Sequence, residues 1–180
     1  MTVNRISQFK SALKNDDRMK RLKKMRESGI FAVDTERLIT ELETIHGTRK
    51  IRTLNSSDFL AKAQKKLIDM SLENVAKRSR CVEIRMKVFK LSALLEHQLI
   101  ATKIYLGAKY STILASEYKL VTDRKMAIGR VLEDYEGLLS KFKTVEKLAD
   151  MVIEDCDQTG YGISNISRAI EISFAKERNI

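Results

Sequence analysis

Nine basic side chains fall between Lys62 and Lys90: Lys62, Lys65, Lys66, Lys77, Arg78, Arg80, Arg85, Lys87 and Lys90, against the acids Asp69, Glu73 and Glu83. Ammonium and guanidinium groups along one helix neutralise successive phosphates, so the pattern suits contact with a nucleic-acid backbone. At 100° per residue, Val75, Val82, Met86, Phe89 and Ala93 share one arc, flanked by Arg78 and Arg85, while Arg80 and Lys87 stack on another side. The spacing predicts an exposed basic strip beside a buried stripe. Lys103 lies further along, and Arg49, Lys50 and Arg52 sit in a polar, turn-like link that could touch phosphate or simply face solvent. A second run holds eight basic residues between Lys10 and Arg26 against Asp16 and Asp17. It reads either as a solvated face or as a basic arm.

No pattern for covalent or acid–base catalysis is found. There is no phosphate-cradling glycine loop, no nucleophile elbow and no Glu-x-x-His pair, and Glu96 and His97 are adjacent, so on a helix they point apart. Cys81, Cys156, His46 and His97 lack zinc-ligand spacing, and both cysteines read as small buried hydrophobes. The expectation is a non-enzyme with no metal and no cofactor. No run reaches the ~18 apolar residues of a membrane span, and the N-terminus lacks a secretory apolar core. A cytoplasmic protein with no membrane partner is expected.

The elements that must position these charges are helical. The 180 residues contain no proline and seven glycines, the two residue types that end helices. Periodicity predicts an all-α chain of long helices forming a bundle or coiled coil, with a short C-terminal helix after a glycine corner. The expected helices cover 5–28, stopped at Gly29; 35–46, capped by Asp34 and ended by Gly47; about 58–106, interrupted at Gly107; and a third long region to about Thr159, with a bend between Ser116 and Asp123. The domain reading is a basic N-terminal helical arm, 1–56, and a long-helix domain, 57–180, with its basic helix at 57–107 and its oligomerisation region at 108–180. Net charge is also uneven along the chain: residues 1–90 carry 22 Lys/Arg against 11 Asp/Glu, a net of +11, and residues 91–180 carry 12 against 13, a net of −1. Such asymmetry suggests a polyanion for one half and assembly for the other.

Assembly has its own signal. Ile128, Tyr135, Phe142, Ala149 and Cys156 recur at seven-residue spacing, and Val131, Leu138, Val145 and Val152 follow three residues after each of the first four. This is the spacing of a coiled-coil seam, widened by Leu132, Leu139 and Ile153 toward a bundle or higher oligomer. The core helix of a monomeric bundle gives the same spacing. Past Gly160 and Gly162, read as a flexible corner, Ile163, Ile166, Ile170 and Phe174 share a face that needs a cover.

Three features in order resemble the UvsY-type recombination mediators of T-even-like phages. They are the turn-like Lys103-Ile104-Tyr105-Leu106-Gly107-Ala108-Lys109 that closes the basic helix, the Leu120-Val121-Thr122-Asp123 that opens the heptad helix, and the Gly160-Tyr161-Gly162-Ile163 corner before Ile166, Ile170 and Phe174. The resemblance covers residues 57–176. Where the family shows two aromatics and an upstream Lys/Arg pair, this chain has Ile104-Tyr105 and Lys103 alone. The resemblance implies a non-enzymatic homo-oligomer held by its C-terminal helices. It also implies binding to single-stranded DNA and help for a recombinase in displacing single-strand-binding protein, in the cytoplasm of a bacterial host. Few aromatics lie in the basic strip, so sequence-independent phosphate contact should dominate. The alternative is a coiled-coil scaffold or virion-assembly protein whose basic half meets an acidic protein.

Overall fold

The computed structural model describes residues 8–47 and 60–177, except the side chains of residues 60–63, 173, 174, 176 and 177. Among the described residues there are six helices and no strand: α1 (Gln8–Leu13), α2 (Asp17–Glu27), α3 (Thr35–Gly47), α4 (Leu60–Lys109), α5 (Ser111–Glu117) and α6 (Val121–Glu177). The all-α expectation holds, with α4 and α6 as the long packed helices.

Two compact units emerge, each assembled from separate stretches of chain. The first combines residues 1–34 with 88–144, and the second combines 35–87 with 145–180. The described part of the expected N-terminal arm is therefore packed structure divided between the units. In the first unit, Phe9, Leu13, Leu22 and Phe31 are buried together with Val88, Leu95, Leu99 and Leu106 of α4 and Ile128, Leu132, Tyr135 and Phe142 of α6. Each fully buried side chain of this size contributes about 1.5–3 kcal/mol of transfer free energy. The second unit buries Leu42, Leu67, Cys81, Ile84, Val145, Ala149, Val152, Cys156 and Ile163.

Within each unit, ion pairs fix how α4 meets α6. In the first, Lys103 meets Glu136 at 2.6 Å and Glu96 meets Lys143 at 2.7 Å. In the second, Arg85 meets Asp150, and Arg78 meets Asp157 at 2.6 Å. In both, seven residues back along α4 match seven forward along α6, so the helices run antiparallel in heptad register.

Several boundaries differ from the sequence reading. The single helix expected from residue 5 is broken at Asp16, whose extended backbone and side chain cap α2, with Oδ1 accepting from the N–H groups of Arg18 and Met19 at 3.0 and 3.1 Å. Gly29, at φ +77°, does end the next segment. Gly107 does not interrupt α4. An added Cβ there would lie 3.8 Å from Ile128 Cδ1, so its small size serves the approach of α6. The glycine corner is also absent, because α6 runs unbroken through Gly160 and Gly162 and neither has positive φ. The expected bend near 116–123 is present, as the end of α5 and the extended Tyr118 before α6.

The buried arc of α4 is not the expected one. Val75, Met86 and Phe89 are exposed, as is Ala93, and Val82 is half-buried. The inward stripe is Cys81, Ile84, Val88, Ser92, Leu95, Leu99, Thr102 and Leu106. α4 thus has two apolar stripes at helical spacing, and the protein uses the other one. Ile128, Tyr135, Phe142, Val145, Val152 and Ile163 are buried within the single chain, and Val131, Leu138, Ile166 and Ile170 are half-buried. The heptad seam is therefore an intrachain core. The side chain of Phe174 lies outside the described residues.

Candidate nucleic-acid interface

The strip expected to meet phosphate lies mainly in the second unit, where much of it is engaged with carboxylates. Arg80 donates through Nε and Nη2 to Glu41 of α3 at 2.6 and 3.1 Å, and through Nη1 to Glu83. These bonds hold the Glu41 carboxyl below the usual range, against some desolvation, and raise the guanidinium. Arg78 takes Asp157 with two nitrogens, Arg85 takes Asp150, and Lys77 takes Glu73 at 2.6 Å. In the first unit Lys103 is engaged with Glu136. Lys65, Lys87 and Lys90 are exposed, and Lys66 is half-buried and engaged. Arg49, Lys50, Arg52 and the side chain of Lys62 lie outside the described residues. An Arg held by a bidentate carboxylate offers little to a phosphate until that bond breaks.

The first unit brings together a different set. Lys10 and Lys14 come from α1 and the turn after it, Lys20 and Lys23 from α2, and Arg130 from α6; all five are exposed. They ring a groove of about 430 Å³ with Leu13, Met19, Val131 and Tyr135 on its apolar side. Lys23 also reaches Glu27 at 3.6 Å, an exposed i,i+4 pair that contributes little. Tyr135 is 8 % exposed and Arg26 lies 5.7 Å from its ring centre, so its face is not open to a stacking base. The groove offers positive charge and a shape rather than an aromatic platform.

Asp16 fixes the two halves of this rim. It is 1 % exposed, and Oδ2 accepts from Lys109 Nζ at 2.8 Å, from the Tyr110 hydroxyl at 2.8 Å and from the Tyr105 hydroxyl at 3.3 Å. Burial pushes this carboxyl up, but the bonds from Lys109, Tyr110 and the Met19 N–H outweigh it and bring the pKa down to about 2. The carboxylate thereby ties the joint of α1 and α2 to the last turn of α4. Lys109 is in turn raised, chiefly by the Asp16 hydrogen bond. Tyr105 and Lys109, read from sequence as parts of a closing turn, are helical residues that hold Asp16. Arg18 stacks over Tyr105 at 5.4 Å, and Phe9 packs edge-on to Tyr110 at 5.7 Å.

Sequence reasoning counted the basic residues of 10–26 without assigning them a site, and it missed Arg130 altogether. The i,i+4 spacing of Lys10 and Lys14 was a usable signal, whereas the meeting with Arg130 depends on tertiary packing. Both cysteines are buried, and burial together with nearby Cys156 pushes the Cys81 thiol up to about 11. Among the described residues, no helix is long and apolar enough to cross a membrane. Comparison with known protein families, curated proteins and solved structures finds no match for this chain.

Proposed function

We propose that the chain is a non-enzymatic nucleic-acid-binding protein whose phosphate contacts are made in the groove of the first unit. One observation carries this reading: five exposed cations from three helices converge on one concavity, in the unit that holds most of the excess charge. That unit has 18 Lys/Arg against 10 Asp/Glu, and the second has 16 against 14, giving +8 and +2. A single strand fits better than a duplex, because its flexible backbone follows a short groove. With no open aromatic face in the groove, binding is indifferent to sequence. The mediator role, loading a recombinase onto single-stranded DNA against single-strand-binding protein, rests on the resemblance alone, at Lys103–Lys109, at Leu120–Asp123 and at Gly160–Ile163 with Ile166, Ile170 and Phe174.

The test is fluorescence anisotropy with a labelled oligothymidine across a salt series. About five neutralised phosphates on a single strand give a log–log salt slope near −3.5, or roughly a hundredfold loss between 50 and 200 mM salt. The triple variant Lys14→Glu/Lys20→Glu/Arg130→Glu should weaken binding at least tenfold. Arg78→Glu/Arg85→Glu should weaken it far less. Equal losses from the two variants would return the site to α4, and no binding at low salt would favour an acidic protein as the partner.

A further inference from the structure

We propose that a hollow beside the groove of the first unit is a base pocket, and that the Arg26 guanidinium at its mouth is the face on which a nucleobase of the bound strand stacks; this rests on the nucleic-acid reading of the groove. Tyr135 lines the groove, and the Arg26 guanidinium lies over its ring at 5.7 Å. The same Arg26 lines the neighbouring hollow of about 480 Å³, within the ~300–1,000 Å³ of small-ligand clefts. Arg26 therefore stands between the two concavities. Its side chain is 52 % exposed, and its tie to Asp134 is 3.5 Å long, at the weak end of hydrogen bonding. A guanidinium backed by an aromatic ring can present its other plane to a base.

Charge and lining name the occupant. The hollow sets Arg26 and Lys141 against Glu133 and Asp134, so its charges cancel and it draws no phosphate, unlike the groove where five cations meet. Its apolar side is Phe31, Ala32 and Leu138, and Gly137 keeps it open, since an added Cβ there would meet nothing within 4 Å. A nucleobase matches this lining, being neutral and flat, with apolar faces and a polar edge. Each of the four bases has an N–H donor and an acceptor on its pairing edge, so the carboxylates and the ammonium serve all of them. The pocket thus adds affinity without sequence preference, as stacking does. A duplex keeps its bases paired and stacked on one another, so only a single strand can place one here.

Fluorescence anisotropy on the full chain at low salt tests it with two labelled strands of equal length, an oligothymidine and an abasic deoxyribose-phosphate strand. Without a base to stack, the abasic strand should bind about fivefold more weakly or worse. Arg26→Lys keeps the charge but loses the planar face. It should bring oligothymidine down to the abasic affinity while leaving the abasic affinity and the salt slope unchanged. Gly137→Leu fills the hollow from an exposed position of α6 and should have the same effect, which keeps the test sharp if Arg26→Lys lowers the thermal midpoint. Equal binding of both strands by the wild type, with the triple groove variant still weakened, overturns the base pocket and leaves the groove reading standing. A loss from Arg26→Lys that is equal on both strands also overturns it, because Arg26 is then a phosphate contact. If neither strand binds at low salt, the groove reading fails and the pocket fails with it.

Discussion

Both units rest on the same antiparallel pairing of α4 with α6, marked in each by two ion-pair rungs a heptad apart, yet they use it differently. The first unit packs large residues on α6, namely Ile128, Leu132, Tyr135 and Phe142, and leaves most of the α1–α2 cations at the surface. The second packs Val145, Ala149, Val152 and Cys156, and matches Arg78, Arg80 and Arg85 of α4 to carboxylates on α3 and α6. Acidic residues of α6 thus pair with arginines of α4 in the second unit, while in the first unit Arg26 meets Asp134, Lys23 meets Glu27, and Lys14, Lys20 and Arg130 stay exposed. A run of lysines and arginines in the sequence therefore does not by itself mark open positive charge, because the fold decides how many carboxylates meet it.

The difference in core size gives the largest expected effect. Phe142 has no exposed surface, and Phe142→Ala should cost about 3–5 kcal/mol through lost transfer energy plus cavity. Val152→Ala in the second unit removes two methyl groups and should cost about 2 kcal/mol. Urea denaturation of both variants checks the order. Equal losses would mean that the first unit collapses around its vacancy and that the contrast in packing is not one in stability.

Asp16→Asn comes next. The folded-state carboxyl sits at about 2 against an ordinary 3.8, so its ionised form stabilises the fold above about pH 4, and that contribution is lost as pH falls toward 2. That lowering corresponds to about 2 kcal/mol at neutral pH. The variant should lose that much at pH 7 and show a flatter acid limb between pH 4 and 2. A parallel acid limb in wild type and variant would show that the charge of Asp16 has no part in tying α2 to α4. Oligonucleotide affinity should fall with the stability, because α1 and α2 both line the groove.

What could be read from the sequence divides along physical lines. Helix content, the bounds of α3 from just after Asp34 to Gly47, the start of α6 and its heptad seam all follow from local signals. Local spacing did not specify partners. α4 carries two apolar stripes, and only the packed chain shows that Cys81, Ile84 and Val88 go inward while Val75 and Met86 stay out. Asp16 was readable as a cap, since a short acidic residue before a basic amphipathic run is a normal N-cap. Its bonds to Lys109, Tyr105 and Tyr110 span about ninety residues and leave no trace in spacing. The groove was half visible, as charge without geometry.

The glycine corner failed because a Gly-x-Gly pair is only a statistical stop, and Gly162→Ala separates the two readings. In a continuous helix with nothing within 4 Å of the added Cβ, alanine should stabilise the second unit by about 0.5–1 kcal/mol. A flexible corner that needs left-handed backbone would instead be destabilised. Thermal melts of the variant decide, and a lowered midpoint would restore the corner.

The smallest effect is the most direct probe of the contrast between the units. Arg78 and Asp157 are each nearly half exposed in their side chains, so water and salt screen the pair and its loss should leave the denaturation midpoint unchanged within error. What changes is availability. Asp157→Asn releases the guanidinium and removes a negative charge from the second unit, leaving the groove of the first unit untouched. If phosphate contact belongs to that groove, oligonucleotide affinity should rise less than twofold and the salt slope should stay the same. If the α4 strip is a binding surface held back by its carboxylates, affinity should climb several-fold and the slope steepen by about 0.7, the increment for one further phosphate on a single strand.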